Sequence, residues 1–295
     1  MSTALPPGLH FGISPQVYHA DPAEGPSLSS TAARTILAKS LAHTCAEHPR
    51  LGRVGESEST DAMDRGSIVH ALLAGQARES IAVADFATFR SKAAQEWAAS
   101  VRAAGKVPAL VGDMEEASKI AAAVMKKAAA GLTDDPFQKG KHEVTAIWQR
   151  NGAHYRARYD CLVMPDGEPW TIWDWKVTGD VSVSEVKRKI RRFGYHIQAA
   201  HYLNGLNVLC PKFAGRHSFV FVFVEDAPPH SVRRYCLKTE TLSVAAIDLS
   251  GVYDQWEDAL KTGVWPDASR NETTHIDVPT FADDDDEPDQ IQAAA

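Results

Sequence analysis

No stretch of this 295-residue chain approaches the roughly 18–20 uninterrupted apolar residues that a membrane span needs, so no membrane partner is expected. The opening residues, MSTALPPGLHFG, lack a charged n-region and an apolar h-region, and no secretory signal is evident. Cysteine is scarce. Cys45, Cys161, Cys210 and Cys236 are scattered without a CxxC pair, which fits reduced thiols and predicts a cytoplasmic location. Neither HExxH nor GxxxxGK[ST] occurs, which argues against a metalloprotease or a P-loop enzyme. Internal repeats are absent. With 44% hydrophobic and 23% charged residues, the composition excludes a collagen-like, coiled-coil or wholly disordered chain. The length suggests about two domains, although an α/β unit with decorated ends holds as much in one core.

Charge is unevenly spread. The net charge is −7, yet residues 283–289, DDDDEPD, carry six acids and no base, so the remainder is close to neutral. That run is too charged to bury and predicts a disordered acidic tail over 269–295. The opposite extreme is Lys187-Arg188-Lys189-Ile190-Arg191-Arg192, five bases in six positions. Overall charge therefore neither supports nor excludes a polyanionic substrate, whereas local charge supports one.

The first 26 residues read as irregular. Cap residues before ARTILAKS predict a helix over 29–39, and the polar segment 46–62 predicts a loop. A second helix starts near Asp64 or Ser67 and includes Ile68, Val69, Leu72 and Leu73. Further helices are predicted over 85–104 and 112–130, each ending at a glycine. The period then changes. Segments 142–149, 154–163 and 170–177 read as a three-stranded meander, joined by the turns Asn151-Gly152 and Met164-Pro165-Asp166-Gly167. A helix over 187–206 follows, then a doubly covered strand over 217–226, its hairpin partner over 231–238, and a last helix over 241–262. The order predicts an α/β or α+β layer fold.

A two-residue period decides which side chains share a face. It puts His154, Arg156, Arg158, Asp160 and Leu162 together on the second meander strand, opposite Tyr155, Ala157, Tyr159 and Cys161. On the third strand Ile172, Asp174 and Lys176 oppose Thr171, Trp173, Trp175 and Val177. Asp160 and Asp174 can then converge on one point. Two close carboxylates repel unless a cation sits between them, and Mg²⁺ is commonly held by one or two carboxylates plus phosphate oxygens. An ammonium two positions after the second carboxylate would orient an attacking water and offset charge at a phosphoryl centre. By itself a D-x-K is most often a solvent-facing pair, but the apolar neighbours of Asp174 suggest an interior strand, where a buried Asp and Lys need a reason. His70 alone reads as a core histidine, Glu143 as an exposed strand end, and Gln198 with Tyr202 (spaced i, i+4) as packing and surface.

Taken in order, GSIVH, Glu143, Asp160, Asp174-Trp175-Lys176 and Gln198-x-x-x-Tyr202 resemble the PD-(D/E)xK nuclease superfamily, in the branch of RecB-type nuclease domains and lambda-type exonuclease. The amino-terminal FGISPQVYHADP and SLSSTAARTIL and the carboxy-terminal TGVWPD resemble the phage and prophage exodeoxyribonuclease VIII (RecE-type) group. The resemblance covers about residues 8–268, and the "PD" of the name is Tyr159-Asp160 here. It implies a restriction-endonuclease-like core with a central mixed sheet, an antiparallel meander and flanking helices, with the exonuclease domain at 27–268. It further implies that His70, Asp160, Asp174 and the backbone carbonyl of Trp175 bind Mg²⁺ or Mn²⁺, as a pair of ions, with Lys176 catalytic. Glu143 would position the second metal or the water, and Gln198 and Tyr202 would support the site and touch DNA. The iron–sulfur relatives use a clustered cysteine trio that the spacing here lacks, so no iron–sulfur cluster is expected. Lys187, Arg188 and Arg191, with Arg156 and Arg158, are the candidates for gripping backbone phosphates. The implied activity is an exodeoxyribonuclease, 5′→3′ on double-stranded DNA ends, that leaves 3′ single strands for a RecT-type annealing protein. The resemblance further implies a homo-oligomeric ring. The rivals are a sister nuclease of other polarity or endonuclease habit and a non-catalytic DNA-end-binding module.

Overall fold

The computed structural model describes residues 4–52, 61–132 and 134–268, so the acidic run 283–289 lies outside the described residues. The chain begins with β1 (Gly8–His10), α1 (Pro15–His19), β2 (Ser27–Leu28), α2 (Ser30–Ala38) and α3 (Leu41–Glu47). Next come α4 (Asp61–Leu73), α5 (Ala77–Ser80), β3 (Ile81–Ala84), α6 (Lys92–Ala103), β4 (Val107–Leu110) and α7 (Val111–Ala128). The meander is introduced by α8 (Pro136–Lys139) and consists of β5 (Gly140–Arg150), β6 (Ala153–Val163) and β7 (Thr171–Thr178). Then follow α9 (Val183–Phe193), α10 (Tyr195–Leu209), β8 (Ser218–Glu225), β9 (Val232–Tyr235) and α11 (Thr239–Thr262). Among the described residues no helix is long and apolar enough to cross a membrane.

The main sheet runs β1-β5-β6-β7-β8-β9, with β2 pairing β6. The meander is antiparallel, β7 and β8 are parallel, and β9 closes a hairpin on β8. This is the expected α/β architecture, a mixed sheet with helices on both faces. One face packs Ile36 of α2, Leu206 of α10 and Trp256 of α11 against Trp148, Tyr155, Phe221 and Phe223. The other packs Val69 of α4 and Ile120 and Val124 of α7 against Trp173, Trp175, Val222 and Val224. Alternate residues of β8 thus enter different cores, which accounts for its continuous apolar text. Asn151 (φ 51°) and Gly152 (φ 84°) both adopt positive φ, the backbone that a two-residue hairpin turn requires.

Four expectations need correction. The first 26 residues, expected to be irregular, contain β1 and α1. The helix expected over 187–206 is two helices, α9 and α10, broken at Gly194 in the left-handed region (φ 63°), where a Cβ would stand 2.9 Å from Arg34 Cδ. The helix expected from 85 begins only at Lys92, capped by Ser91, whose side chain accepts from Ala94 N. The short parallel pair β3–β4 was not anticipated.

The fourth correction concerns the faces of β6. Tyr155, Ala157, Tyr159 and Leu162 belong to one core, while Cys161 and Val163 belong to the other. The alternation therefore slips by one at Asp160, so Cys161 does not share a face with Tyr159. Opposite the slip on β5 stands Glu143, a non-glycine residue at φ 54°, with register intact on both sides (His142↔Cys161, Val144↔Tyr159). A left-handed residue turns the strand about its axis, so the side chains beyond it change sides. The slip opens a fork. β6 pairs with β7 only through Cys161–Val163, and its first residues take β2 as partner instead.

Candidate metal centre and active site

Asp160 stands in the fork and spans it. Its Oδ2 accepts from the backbone N–H of Trp175 (2.8 Å), and its Oδ1 lies 3.5 Å from Nδ1 of His70. His70 comes from α4 on the far face, and its Nε2 is 3.2 Å from the Trp175 carbonyl oxygen. Glu143 completes the group: ligand atoms of His70, Glu143 and Asp160 all lie within 4.8 Å of one another. On the α10 side of β7, Asp174 pairs with Lys176 through Oδ2 and accepts from Nε2 of Gln198 through Oδ1 (2.8 Å). Side-chain exposure falls from 28% at His70 to 1% at Asp174, so the group opens toward solvent past the histidine.

The electrostatics follow from burial and crowding. Burial alone would lower the His70 imidazole, but the charge and hydrogen bond of Asp160, then Glu143, outweigh it and raise it to about 9. Both ring nitrogens face acceptors, which suits the doubly protonated ring. Despite burial, Asp160 is lowered by His70 and Lys176. Glu143 is raised, first by burial and then by the charge of Asp160, against the pull of Arg158. Burial pushes Asp174 up to about 6, with Lys176 opposing and Asp160 adding. Lys176 is raised because Asp174 and Asp160 overcome its burial, so it keeps its proton.

The donor set fits a hard divalent cation. Two carboxylates and an imidazole nitrogen converge, and the charge of Asp160 adds to burial in raising Glu143. Sequence reasoning put Asp174 with His70 and Asp160 and gave Glu143 a lesser part. The geometry brings Glu143 into the closest group and turns both oxygens of Asp174 toward Lys176 and Gln198. Tyr202 is buried against Tyr159 and Phe219.

The two arginines expected to contact phosphates are engaged within the protein. Arg156 is 5% exposed and is spent on Asp21 (3.1 Å) and the hydroxyl (2.8 Å) and carbonyl of Ser27, which fix β2 in the fork. Arg158 binds Glu143 Oε2 through Nε (2.5 Å) and the Ile13 carbonyl through Nη1 (2.8 Å). Both guanidiniums lie over the Tyr18 ring, at 5.6 and 5.7 Å. A regular pleat would have put them on an open face; the fork encloses them. Arg156→Ala is expected to destabilise the fold by about 3–5 kcal/mol, because it leaves the buried Asp21 carboxylate without its cation. Urea denaturation measures this. An unchanged midpoint with weakened DNA binding would return Arg156 to the surface role.

By contrast Lys187, Arg188 and Arg191 are exposed on α9, Arg188 with Glu185 as partner (2.7 Å). Lys189 donates to Thr178 Oγ1 (2.5 Å), which ties the basic helix to the end of β7 next to Lys176. Sequence reasoning missed Tyr195, whose ring lies 5.0 Å from the Lys176 ammonium. The available signal was its i, i+3 spacing to Gln198, which puts both on one side of α10.

The mixed sheet, the forked meander and the Asp160, Asp174-x-Lys176 arrangement define a PD-(D/E)xK-type α/β domain. Residues 29–274 match the family described as "PDDEXK-like domain of unknown function (DUF3799)", and the chain belongs to that family. A crystal structure described as "Putative exonuclease" from Eubacterium rectale has the same fold, with a TM-score of 0.56 at 14% identity, over 92% of this chain and 97% of that one. A second structure, named SSO0001, aligns at 10% identity and a TM-score of 0.28 over 64% of this chain and 85% of that one, too low to bear on the fold. No curated protein matches the chain.

Proposed function

We propose that this protein is a divalent-metal-dependent deoxyribonuclease of the exodeoxyribonuclease VIII (RecE-type) kind. The observation that carries the reading is the convergence of His70, Glu143 and Asp160 within 4.8 Å, beside a Lys176–Asp174 pair in the same fork. Those three residues, with Asp174 adjoining, would hold Mg²⁺ or Mn²⁺, which when bound supplies Lewis-acid polarisation of a phosphoryl oxygen and a more acidic water. Lys176, charged and held between Asp174 and the Tyr195 ring, orients the attacking water and offsets the charge that grows on the phosphate. It does not act as a base, because its carboxylate neighbours keep it protonated. Gln198 fixes the Asp174 carboxylate, and Arg158 fixes that of Glu143. Lys187, Arg188 and Arg191 grip backbone phosphates without reading sequence.

The proposed reaction is hydrolysis from double-stranded ends in the 5′→3′ direction, leaving 3′ single strands for a RecT-type annealing protein, with the enzyme acting as a closed ring around its substrate. Linear duplex labelled at either 5′ or 3′ ends, with and without Mg²⁺, tests this beside covalently closed circles. The expected result is Mg²⁺-dependent early release of the 5′ label, with circles untouched. Early release of the 3′ label reverses the polarity. Nicked or linearised circles make the enzyme an endonuclease, and binding without turnover makes it a DNA-end-binding module.

A further inference from the structure

We propose that the acidic run 283–289 seats on the basic outer face of α9 and competes there, within the same chain, with the DNA backbone. The inference rests on the reading of α9 as a phosphate grip and adds an occupant that nothing else assigns to it. The two segments are the charge extremes of the protein: five bases in six positions on α9, and six acids without a base in 283–289. On α9, Glu185 engages Arg188 and stands 3.9 Å from Lys189, while Lys187, Arg191 and Arg192 are exposed. Lys187 and Arg191 are one turn apart, and Arg188 and Arg192 repeat that spacing beside them, so four bases make one stripe. A row of carboxylates meets such a stripe as a row of phosphates does, through charge-assisted hydrogen bonds.

The path of the chain favours this occupant. Trp265 packs on Trp256 (5.5 Å), and the Pro266 carbonyl accepts from Ala42 N (3.0 Å), so the described chain ends against the start of α3. α3 packs on α2, and Arg34 of α2 donates to the Phe193 carbonyl at the basic end of α9 (2.6 Å). α2 thus links the exit point to the basic end of α9, and its nine residues span about 13 Å. Residues 269–282 supply fourteen linking residues, with a mean span of about 20 Å for a flexible chain of that length. The link therefore reaches the stripe without being stretched. Tethering at that length gives an effective concentration in the millimolar range, enough to populate a weak ionic contact.

The test uses the full-length chain. Replacing Asp283, Asp284, Asp285, Asp286 and Asp289 by Asn and Glu287 by Gln neutralises the run. Duplex affinity is then read by anisotropy at low and high salt, with and without Lys187→Gln, Arg191→Gln and Arg192→Gln on α9. We expect the neutralised run to tighten DNA binding about tenfold near 50 mM salt, and the gain to fade toward unity as salt screens the contact. In the α9 triple variant the same neutralisation should change nothing. Carbodiimide coupling, mapped by mass spectrometry, should join the run to Lys187 within one chain. Unchanged affinity on neutralising the run overturns the inference, as does a gain that persists in the α9 triple variant. Mixed-isotope cross-links between copies overturn the same-chain arrangement. If the triple variant binds DNA as tightly as the parent, the reading of α9 as a phosphate grip fails by itself, and with it the competition.

Discussion

Lys176→Ala is expected to slow DNA hydrolysis about a thousandfold, with duplex binding and folding retained, as the loss of one preorganised charge at a phosphoryl centre implies. The ammonium sits between Asp174 and the Tyr195 ring and is held protonated by its carboxylate neighbours. No other cationic side chain is paired with Asp174 among the described residues. The fold tolerates the change for a physical reason. The Asp174 carboxyl is already raised to about 6 and has Gln198 as a second partner, so without the lysine it takes up a proton near neutrality rather than remaining a bare buried charge. Lys176→Arg keeps the charge but not the reach and should recover part of the rate. Single-turnover cleavage of end-labelled duplex at saturating Mg²⁺ gives the rate, and anisotropy gives the affinity. A Lys176→Ala rate within tenfold of the parent would remove the lysine from the chemistry.

Much of this arrangement is legible in the sequence because it lies on strands with strong periodic text. The meander announces itself through period two and the Asn151-Gly152 turn, and the Asp174-Trp175-Lys176 triplet sits among apolar residues that mark an interior strand. What is not legible depends on a departure from regularity or on a distant partner. The faces of β6 exchange beyond Asp160, opposite the positive φ of Glu143, and no local signal in the sequence announces it. Arg156 and Arg158 look like surface bases until Asp21, Ser27, Ile13 and Tyr18 close over them, and those residues come from a segment whose own text is irregular. β3 and β4 have four residues each, too few for a period to declare itself between helices. Glu143 reads as a strand-end acid for the same reason. Its place beside His70 is set by where α4 crosses the sheet, a tertiary fact.

The affinity of the site for Mg²⁺ is expected to rise about tenfold per pH unit between roughly pH 6 and pH 9, close to a thousandfold in all, and then to level off. The sign follows from His70. Its imidazole is raised to about 9 by Asp160 and Glu143, so below that pH the metal-free ring is protonated, and a protonated nitrogen has no lone pair for a cation. Each ion bound must expel that proton, and the cost grows as pH falls. Below about pH 6 the Asp174 carboxyl also takes up a proton, so the dependence steepens if that group enters the coordination. Titration calorimetry in two buffers of different ionisation enthalpy counts the protons released: one per site near pH 7.5, none above the histidine's range. His70→Asn should remove the slope while weakening binding at pH 9, because it deletes the titrating ring and a ligand together. A flat pH profile in the parent, or a slope that survives His70→Asn, would mean that the imidazole stands outside the coordination and that the carboxylates of Glu143 and Asp160 hold the ion without it.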